Sequence, residues 1–383
     1  MTESSPRAWA TIDLHALKKN LARVSVHCPE SLIVPVIKAN AYGHGVLAVA
    51  RALESVHTKC TAFAVATLDE AMQLRAQGIA TPLLLLSGFR DRAEMDTCLA
   101  NKIEPVVHSM YQFEIIAAYL EKEILAGVGR VWVKFNSGMN RLGLDREQAL
   151  QVYGDLHRHP DTEVILMSHL ASADDLDNQD AIDFTRRQID SVEALKKQLE
   201  NSTQGPVKSS FAASAGIIEH PTTHHQCVRP GIMLYGSSPF ASRTAEEIGL
   251  LSVMTLSAKI MSISDVAAGG TIGYGGTHKC QQDTRVGIVS IGYADGYPRS
   301  AKNGTPVQVK TPDGPKRTGL LGRVSMDMIA IDLSDLEAVS IGDEVVLWGE
   351  GLPADEIARC AGTIAYELFC KVSPRVEFVY TDA

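Results

Sequence analysis

Lys38 closes the apolar run Leu32–Ile37 and is followed by Ala39, Asn40, Ala41, Tyr42 and Gly43. A lysine at the end of a buried strand is partly desolvated, which lowers its pKa and makes its amine nucleophilic. Such an amine can form a Schiff base with an aldehyde, carried by either a substrate or a cofactor. Other apolar runs also end in polar groups. Lys134, Asn136 and Arg141 stand in VKFNSGMNRLG, Ser168 and His169 follow the next run, then Ser214, then Arg229 before Pro230 and Gly231. Ser214 with Ala215 and Gly216, and Gly231 with Ile232, offer a hydroxyl and backbone N–H groups suited to a phosphate. A Schiff-base lysine beside a phosphate cradle points to pyridoxal phosphate. Each group alone is an ordinary polar strand end, so the reading depends on a fold that gathers them.

Eight short apolar runs supply candidate strands: Leu32–Ile37, Phe63–Ala66, Leu83–Leu86, Ile103–Val107, Val131–Phe135, Val164–Met167, Ser209–Ala212 and Cys227–Leu234. Continuous apolarity without alternation suits a parallel sheet covered on both faces. Between them lie helical patterns at Asp69–Gln77, Ser109–Lys122 and Asp180–Glu200, the last with Ile182, Ile189, Val192, Leu195 and Leu199 at helical spacing. About eight strand–helix rounds in about 240 residues fit a closed (β/α)8 barrel, an α/β fold whose active site lies at the C-terminal strand ends. An open doubly wound sheet competes, but no G-x-G-x-x-G follows the first strand. After Phe240 the segments LSAKIMSI, RVGIVSIGY, TPVQVKT, MIAIDL and DEVVLWG are short, β-branched and bounded by turn residues. They predict a mainly β domain. The expected division is a barrel over 10–240 and a β domain over 241–383 joined by residues 1–9, with the hinge near 237–245.

The 383 residues carry 36 Lys and Arg against 45 Asp and Glu, a formal charge of −9. A basic face for nucleic-acid phosphates is not expected from that balance. Hydrophobic residues at 45% and charged residues at 21% exclude a disordered chain. No run approaches the roughly 20 apolar residues of a membrane span, and the first residues do not read as a secretory signal. Seven cysteines are scattered without a C-x-x-C pair, which predicts reduced, mostly buried thiols in a cytoplasmic protein and no metal site. His224 and His225 lack a matching carboxylate or cysteine set and read as a solvated loop. Gly269–Gly276 lacks the G-x-x-x-x-G-K pattern and reads as tight β turns.

At these residues the sequence resembles the alanine racemase family nearly end to end. The resemblance is carried by AxIDLxALKxN, VIKANAYGHG, KxxSGMNRLG, SHLASAD, VRPGIMLYG, TIGYGG, IGYADGYPR, GRVSMDM and AYELFC. It implies a PLP-binding barrel, a C-terminal β domain and a head-to-tail homodimer whose sites are shared between subunits. It also implies that alanine is racemised by two bases, since a proton leaves one face of Cα and returns on the other. Lys38 would carry pyridoxal 5'-phosphate as a Schiff base and act as one base, with Tyr274 of the other subunit opposing it. The resemblance sets Arg229 against the pyridine nitrogen, where a guanidinium cannot give up a proton. It sets Tyr42, Ser214, Gly231, Ile232 and Tyr366 at the phosphate and His169 beside the ring. Arg141 and the Met326–Asp327 segment would meet the substrate carboxylate, and Tyr293 would narrow the entrance. Lys134 stands where some relatives carry a carbamylated lysine that orients the arginine. Three departures are expected to tune the site: Asn136 where many relatives have aspartate, the tail beginning Ser373-Pro374, and Ser325 in place of a common cysteine. D-Alanine supply for peptidoglycan and alanine catabolism both fit. A racemase of broader range or a same-fold decarboxylase remains as an alternative.

Overall fold

The computed structural model describes residues 6–56, 59–120 and 129–382. Strands Leu32–Ile33, Phe63–Val65, Leu83–Leu85, Ile103–Val107, Arg130–Lys134, Glu163–Met167, Ser209–Ala213 and Cys227–Arg229 form one parallel sheet, with the first strand beside the last. Parallel bridges Ile33–Cys60 and Val36–Ala64 join the first strand to the second and close the barrel. The Phe63–Val65, Leu83–Leu85 and Ile103–Val107 strands are buried at every residue, as expected for strands enclosed on both faces. The expected helices appear as Leu68–Ala76, Met110–Leu120 and Gln179–Thr203; the end of the Ser109–Lys122 pattern lies outside the described residues.

The first and last expected strands are much shorter than the apolar runs that suggested them. Pro35 has no N–H, so beyond Ile33 the first strand continues through single contacts such as Val36 N–H to Pro230 O at 2.9 Å. Pro230 stops the last strand at Arg229, and the rest of its apolar run becomes the 3-10 turn Ile232–Tyr235. That break releases the backbone of Gly231 and Ile232 from the ladder at the barrel mouth.

The second domain is built around the 13-residue strand Met254–Val266. It pairs antiparallel with Glu344–Trp348 along one part and with Thr284–Val289 along another, with a register shift within each pairing. Ile329–Asp332, Gly314–Leu321 and Pro306–Thr311 complete an antiparallel ring. The strand Ala8–Asp13 also belongs here, antiparallel to Met254–Val266 and parallel to Glu377–Thr381. Its alternation, with Ala8, Ala10 and Ile12 buried, is that of a sheet with one covered face. The expected barrel start at residue 10 therefore falls inside a strand of the second sheet. Asp13 then caps helix Leu14–His27 by accepting from Ala16 N–H at 2.9 Å. Among the described residues no helix is long and apolar enough to cross a membrane, and no group of three metal-ligating side chains occurs.

Candidate active site

Directly after the first barrel strand the chain makes a left-handed turn, Lys38–Tyr42. Ala39, Asn40, Ala41 and Tyr42 hold φ of 51°, 54°, 54° and 52°, followed by Gly43 at 79°. Left-handed backbone costs L-residues about 1–2 kcal/mol each, so four in a row persist only where their surroundings impose it. Glu70 Oε1 accepts Ala39 N–H at 2.7 Å, and Asn40 Oδ1 accepts Val46 N–H at 2.8 Å. His44 Nδ1 lies 2.9 Å from Tyr42 O and 3.1 Å from Ala41 O, so Nδ1 is the protonated nitrogen. Full burial lowers the His44 pKa to about 4 and keeps the ring neutral. A Cβ on Gly43 would stand 2.1 Å from Phe369 O, so only glycine allows the helix Ala365–Lys371 to approach this turn. That helix brings Tyr366 toward Tyr42, ring centroids 5.8 Å apart, while Tyr42 stacks on Tyr235 at 4.8 Å.

The turn opens into a cavity of about 940 Å³ at the C-terminal end of the barrel. Lys38, Tyr42, Lys134, Arg141 and His169 line it, with Ser214, Arg229, Gly231, Ile232 and Tyr366. Arg229 is buried in the barrel wall. One Nη donates to Ser210 Oγ, and the other to Ser168 O at 2.6 Å and Phe211 O at 3.3 Å. Those bonds fix its plane. Burial brings its pKa down to about 10, still charged at neutral pH.

A second group of residues forms a cradle. Ser214 Oγ accepts Gly231 N–H at 3.0 Å and Met233 N–H at 3.3 Å. A Cβ on Gly231 would lie 2.6 Å from the Tyr42 hydroxyl, so glycine keeps open a recess walled by Tyr42, Ser214 and backbone N–H groups. The short helix Ser214–Glu219 starts there without a side-chain cap. His224 fastens its far end, Nε2 donating to Ile217 O at 2.8 Å. His225 bonds Ser209 Oγ at 2.9 Å and pairs with Glu193. The pair expected in a solvated loop is thus half-buried structure, because the loop folds back against the barrel's strands and the short helix.

Several positive groups converge on the cavity. Burial lowers the Lys134 pKa to about 8, with Arg229, Arg141 and Lys38 adding to it. Burial and then Arg141 lower that of Lys38. His169 falls to about 3 through burial and the same cations, so it is neutral. The arrangement suits a guest that brings negative charge and an aldehyde carbon for Lys38, which a pyridoxal phosphate does. Asn136 lines an adjoining recess with Lys134, Arg141 and His169. Its Oδ1 accepts Gly138 N–H at 3.1 Å and Asn140 N–H at 3.0 Å, closing the SGMN loop, and its Nδ2 donates to Asn140 Oδ1 at 2.9 Å.

The remaining sequence-derived residues lie elsewhere. Tyr274 begins the 3-10 turn Tyr274–Gly276, is 70% exposed and does not line the cavity. Tyr293 N–H donates to Ser325 O at 3.1 Å and Ala294 N–H to Met326 O at 3.0 Å, so the Tyr293 turn and the Met326–Asp327 segment are stitched together. Asp327 accepts from Arg375 at 2.7 Å. Arg375 also reaches the fully buried Asp295, which further accepts from Arg7 and from Gly292 N–H. The sequence reading missed Glu70, His44, Asp295 and Arg375. Of these only Glu70 had a local signal, the T-x-x-E box at Thr67 that opens helix Leu68–Ala76.

Comparison with known proteins finds two matched stretches. The family profile "Alanine racemase, N-terminal domain" matches residues 12–239, and "Alanine racemase, C-terminal domain" matches 253–380. An alanine racemase of Vibrio parahaemolyticus is 43% identical over 376 residues, 98% of this chain and 99% of the relative. The crystal structure of the biosynthetic alanine racemase from Pseudomonas aeruginosa superposes with a TM-score of 0.87 at 39% identity, covering 98% and 99% of the two chains. That of the Bartonella henselae enzyme, which has covalently bound pyridoxal phosphate, gives 0.83 at 29% identity, with 98% and 99% covered.

Proposed function

The chain belongs to the alanine racemase family, and from that premise we propose that it interconverts L- and D-alanine with pyridoxal 5'-phosphate held at Lys38. The observation that carries this reading is the meeting of Lys38, the fixed Arg229 guanidinium and the Ser214–Gly231 cradle in one cavity. When bound, the cofactor supplies an electron-withdrawing ring that makes the substrate Cα proton acidic. Ser214, Gly231, Ile232, Tyr42 and Tyr366 would hold its phosphate. Arg229 would face the pyridine nitrogen without giving up a proton, and the neutral His169 would pack beside the ring. Lys38 Nζ takes or returns the Cα proton on one face, helped by a pKa lowered through burial. Tyr274 of a second copy serves the opposite face, which accounts for its position outside its own chain's cavity. Arg141 and the Met326 backbone take the substrate carboxylate, and Lys134 and Asn136 support Arg141. Asp327 holds the Met326 segment and Tyr293 narrows the entrance. The product serves peptidoglycan precursors in the cytoplasm, in keeping with the biosynthetic relative in P. aeruginosa.

The test uses the purified full-length chain. Visible absorbance should reveal bound cofactor, borohydride reduction should fix its mass on Lys38, and L-alanine should yield D-alanine. Lys38→Ala should abolish the borohydride-fixed mass and the turnover. Retained turnover in Lys38→Ala sinks the assignment, and equal rates across many L-amino acids replace alanine with a broader substrate class.

A further inference from the structure

We propose that Glu70 is a positioning residue for Lys38: its carboxylate ties the second barrel strand to the left-handed turn and so fixes where the lysine side chain leaves the backbone. The inference rests on the reading of Lys38 as the cofactor-bearing lysine.

Glu70 is the third residue of helix Leu68–Ala76 and completes a capping box with Thr67. A cap needs one carboxylate oxygen, and Oε2 fills that role, accepting Thr67 N–H at 3.2 Å and Ala66 N–H at 2.7 Å. Oε1 does something a cap does not require. It accepts the N–H of Ala39, 31 residues away, at 2.7 Å. Ala39 is next to Lys38 and is the first residue of the turn with positive φ. A backbone that disfavours its own conformation needs an external holder, and this contact acts at the point where the strain begins. Ala66 immediately follows the strand Phe63–Val65, and Val36 bridges Ala64 in that strand. Both ends of the Glu70 clamp are therefore anchored in adjacent barrel strands.

The chemistry demands a full-length carboxylate. Glutamate accepts with both oxygens, so it serves N–H groups on two sides together. Glutamine has one accepting oxygen, and its NH2 would face an N–H on the other side. Aspartate is one methylene shorter and cannot span the same gap from the same helix. The charge matters as well, since it opposes the burial and the Arg141 field that lower the Lys38 pKa.

The next helix supplies a control. Glu94, in Arg92–Ala100, accepts Arg90 N–H at 2.7 Å in a similar cap, and its bonds run to Arg90 and Asp91 rather than to the left-handed turn. Full-length wild type, Glu70→Gln, Glu70→Asp and Glu94→Gln are stripped of cofactor and mixed with pyridoxal phosphate. The rate at which Lys38 gains borohydride-fixed mass is followed with Tm, kcat and KM. Both Glu70 variants should load Lys38 about 10- to 100-fold more slowly and lose kcat by a similar factor, with KM for alanine within about threefold of wild type. Glu94→Gln should load as wild type at a comparable loss of Tm. Glu70 variants that load at the Glu94→Gln rate, whatever their Tm, make Glu70 a helix cap only and overturn the proposal. A wild type that never loads at Lys38 overturns the underlying reading of the lysine, a result distinct from failure of the Glu70 clamp.

Discussion

Lys38 faces the cavity at the barrel mouth, while Tyr274 stands on an exposed turn of the β domain outside that cavity's lining. The two groups that the proposed function sets on opposite faces of one carbon thus lie apart within a single chain, and that proposal joins them across two copies. Lys38→Ala and Tyr274→Phe should each be nearly inactive. Mixed in equal amounts with subunit exchange, they should recover roughly a quarter of wild-type activity, because half the dimers are mixed and each of those holds one intact site. No recovery despite proven exchange would mean that both residues act from the same chain.

Lys134 tests the convergence of positive charge. With its pKa brought down to about 8, the amine is mostly protonated at neutral pH and mostly neutral about one unit above 8. A neutral amine adds CO2 to form a carbamate and releases a proton. In bicarbonate buffer the mass of one CO2 should appear on Lys134, increasing as pH rises through this range. Asn136→Asp adds a negative charge in the adjoining recess and should move the onset to higher pH. An unchanged onset would remove position 136 from the electrostatic surroundings of Lys134.

His44 makes an acid-stability prediction. Its folded pKa of about 4 lies below the ordinary 6.5, so between those values the unfolded chain takes up a proton that the folded chain refuses. Its contribution is intact above the unfolded pKa and is lost as pH falls toward the folded one. From pH 7 to pH 5 this should remove about 2 kcal/mol. His44→Asn, which keeps a side-chain N–H near the Tyr42 carbonyl, should show an acid slope shallower by that amount in urea titrations. Parallel slopes would locate the acid lability in other groups.

Arg375 links Asp327 to the buried Asp295, and so links the Met326 segment to the Tyr293 turn. Because the arginine is half-exposed and Arg7 still holds Asp295, Arg375→Ala should lower stability only slightly. Its larger effect should be on alanine recognition, with KM rising several-fold more than kcat falls. A loss confined to kcat would detach this pair from the substrate side of the site.

The barrel was legible because each of its strands is a short apolar run, and because polar residues at the ends of such runs meet at one mouth. Lys38, His169, Ser214 and Arg229 follow from that logic alone. Tyr42 and Tyr366 came only through the resemblance, since nothing local distinguishes a phosphate-side tyrosine from a core one. The left-handed turn was not legible. Asn40, Gly43 and Gly45 tolerate positive φ, but Ala39, Ala41 and Tyr42 adopt it against their own preference under constraint from Glu70 and the Ala365–Lys371 helix. The pairing of Ala8–Asp13 with the second sheet was equally hidden, because strand partners nearly a whole chain apart leave no local trace.

That pairing has a consequence for biosynthesis. Ala8–Asp13 is sandwiched between Met254–Val266 and Glu377–Thr381, so both of its partners are made only after the whole barrel. The barrel strands between them can zip together earlier, since each pairs with a near neighbour in sequence, apart from the closure of the first onto the last. A growing chain that has made Met254–Val266 but not yet Glu377–Thr381 therefore exposes one edge of Ala8–Asp13, and a nonsense codon a few residues before Glu377 would leave that edge open to other chains.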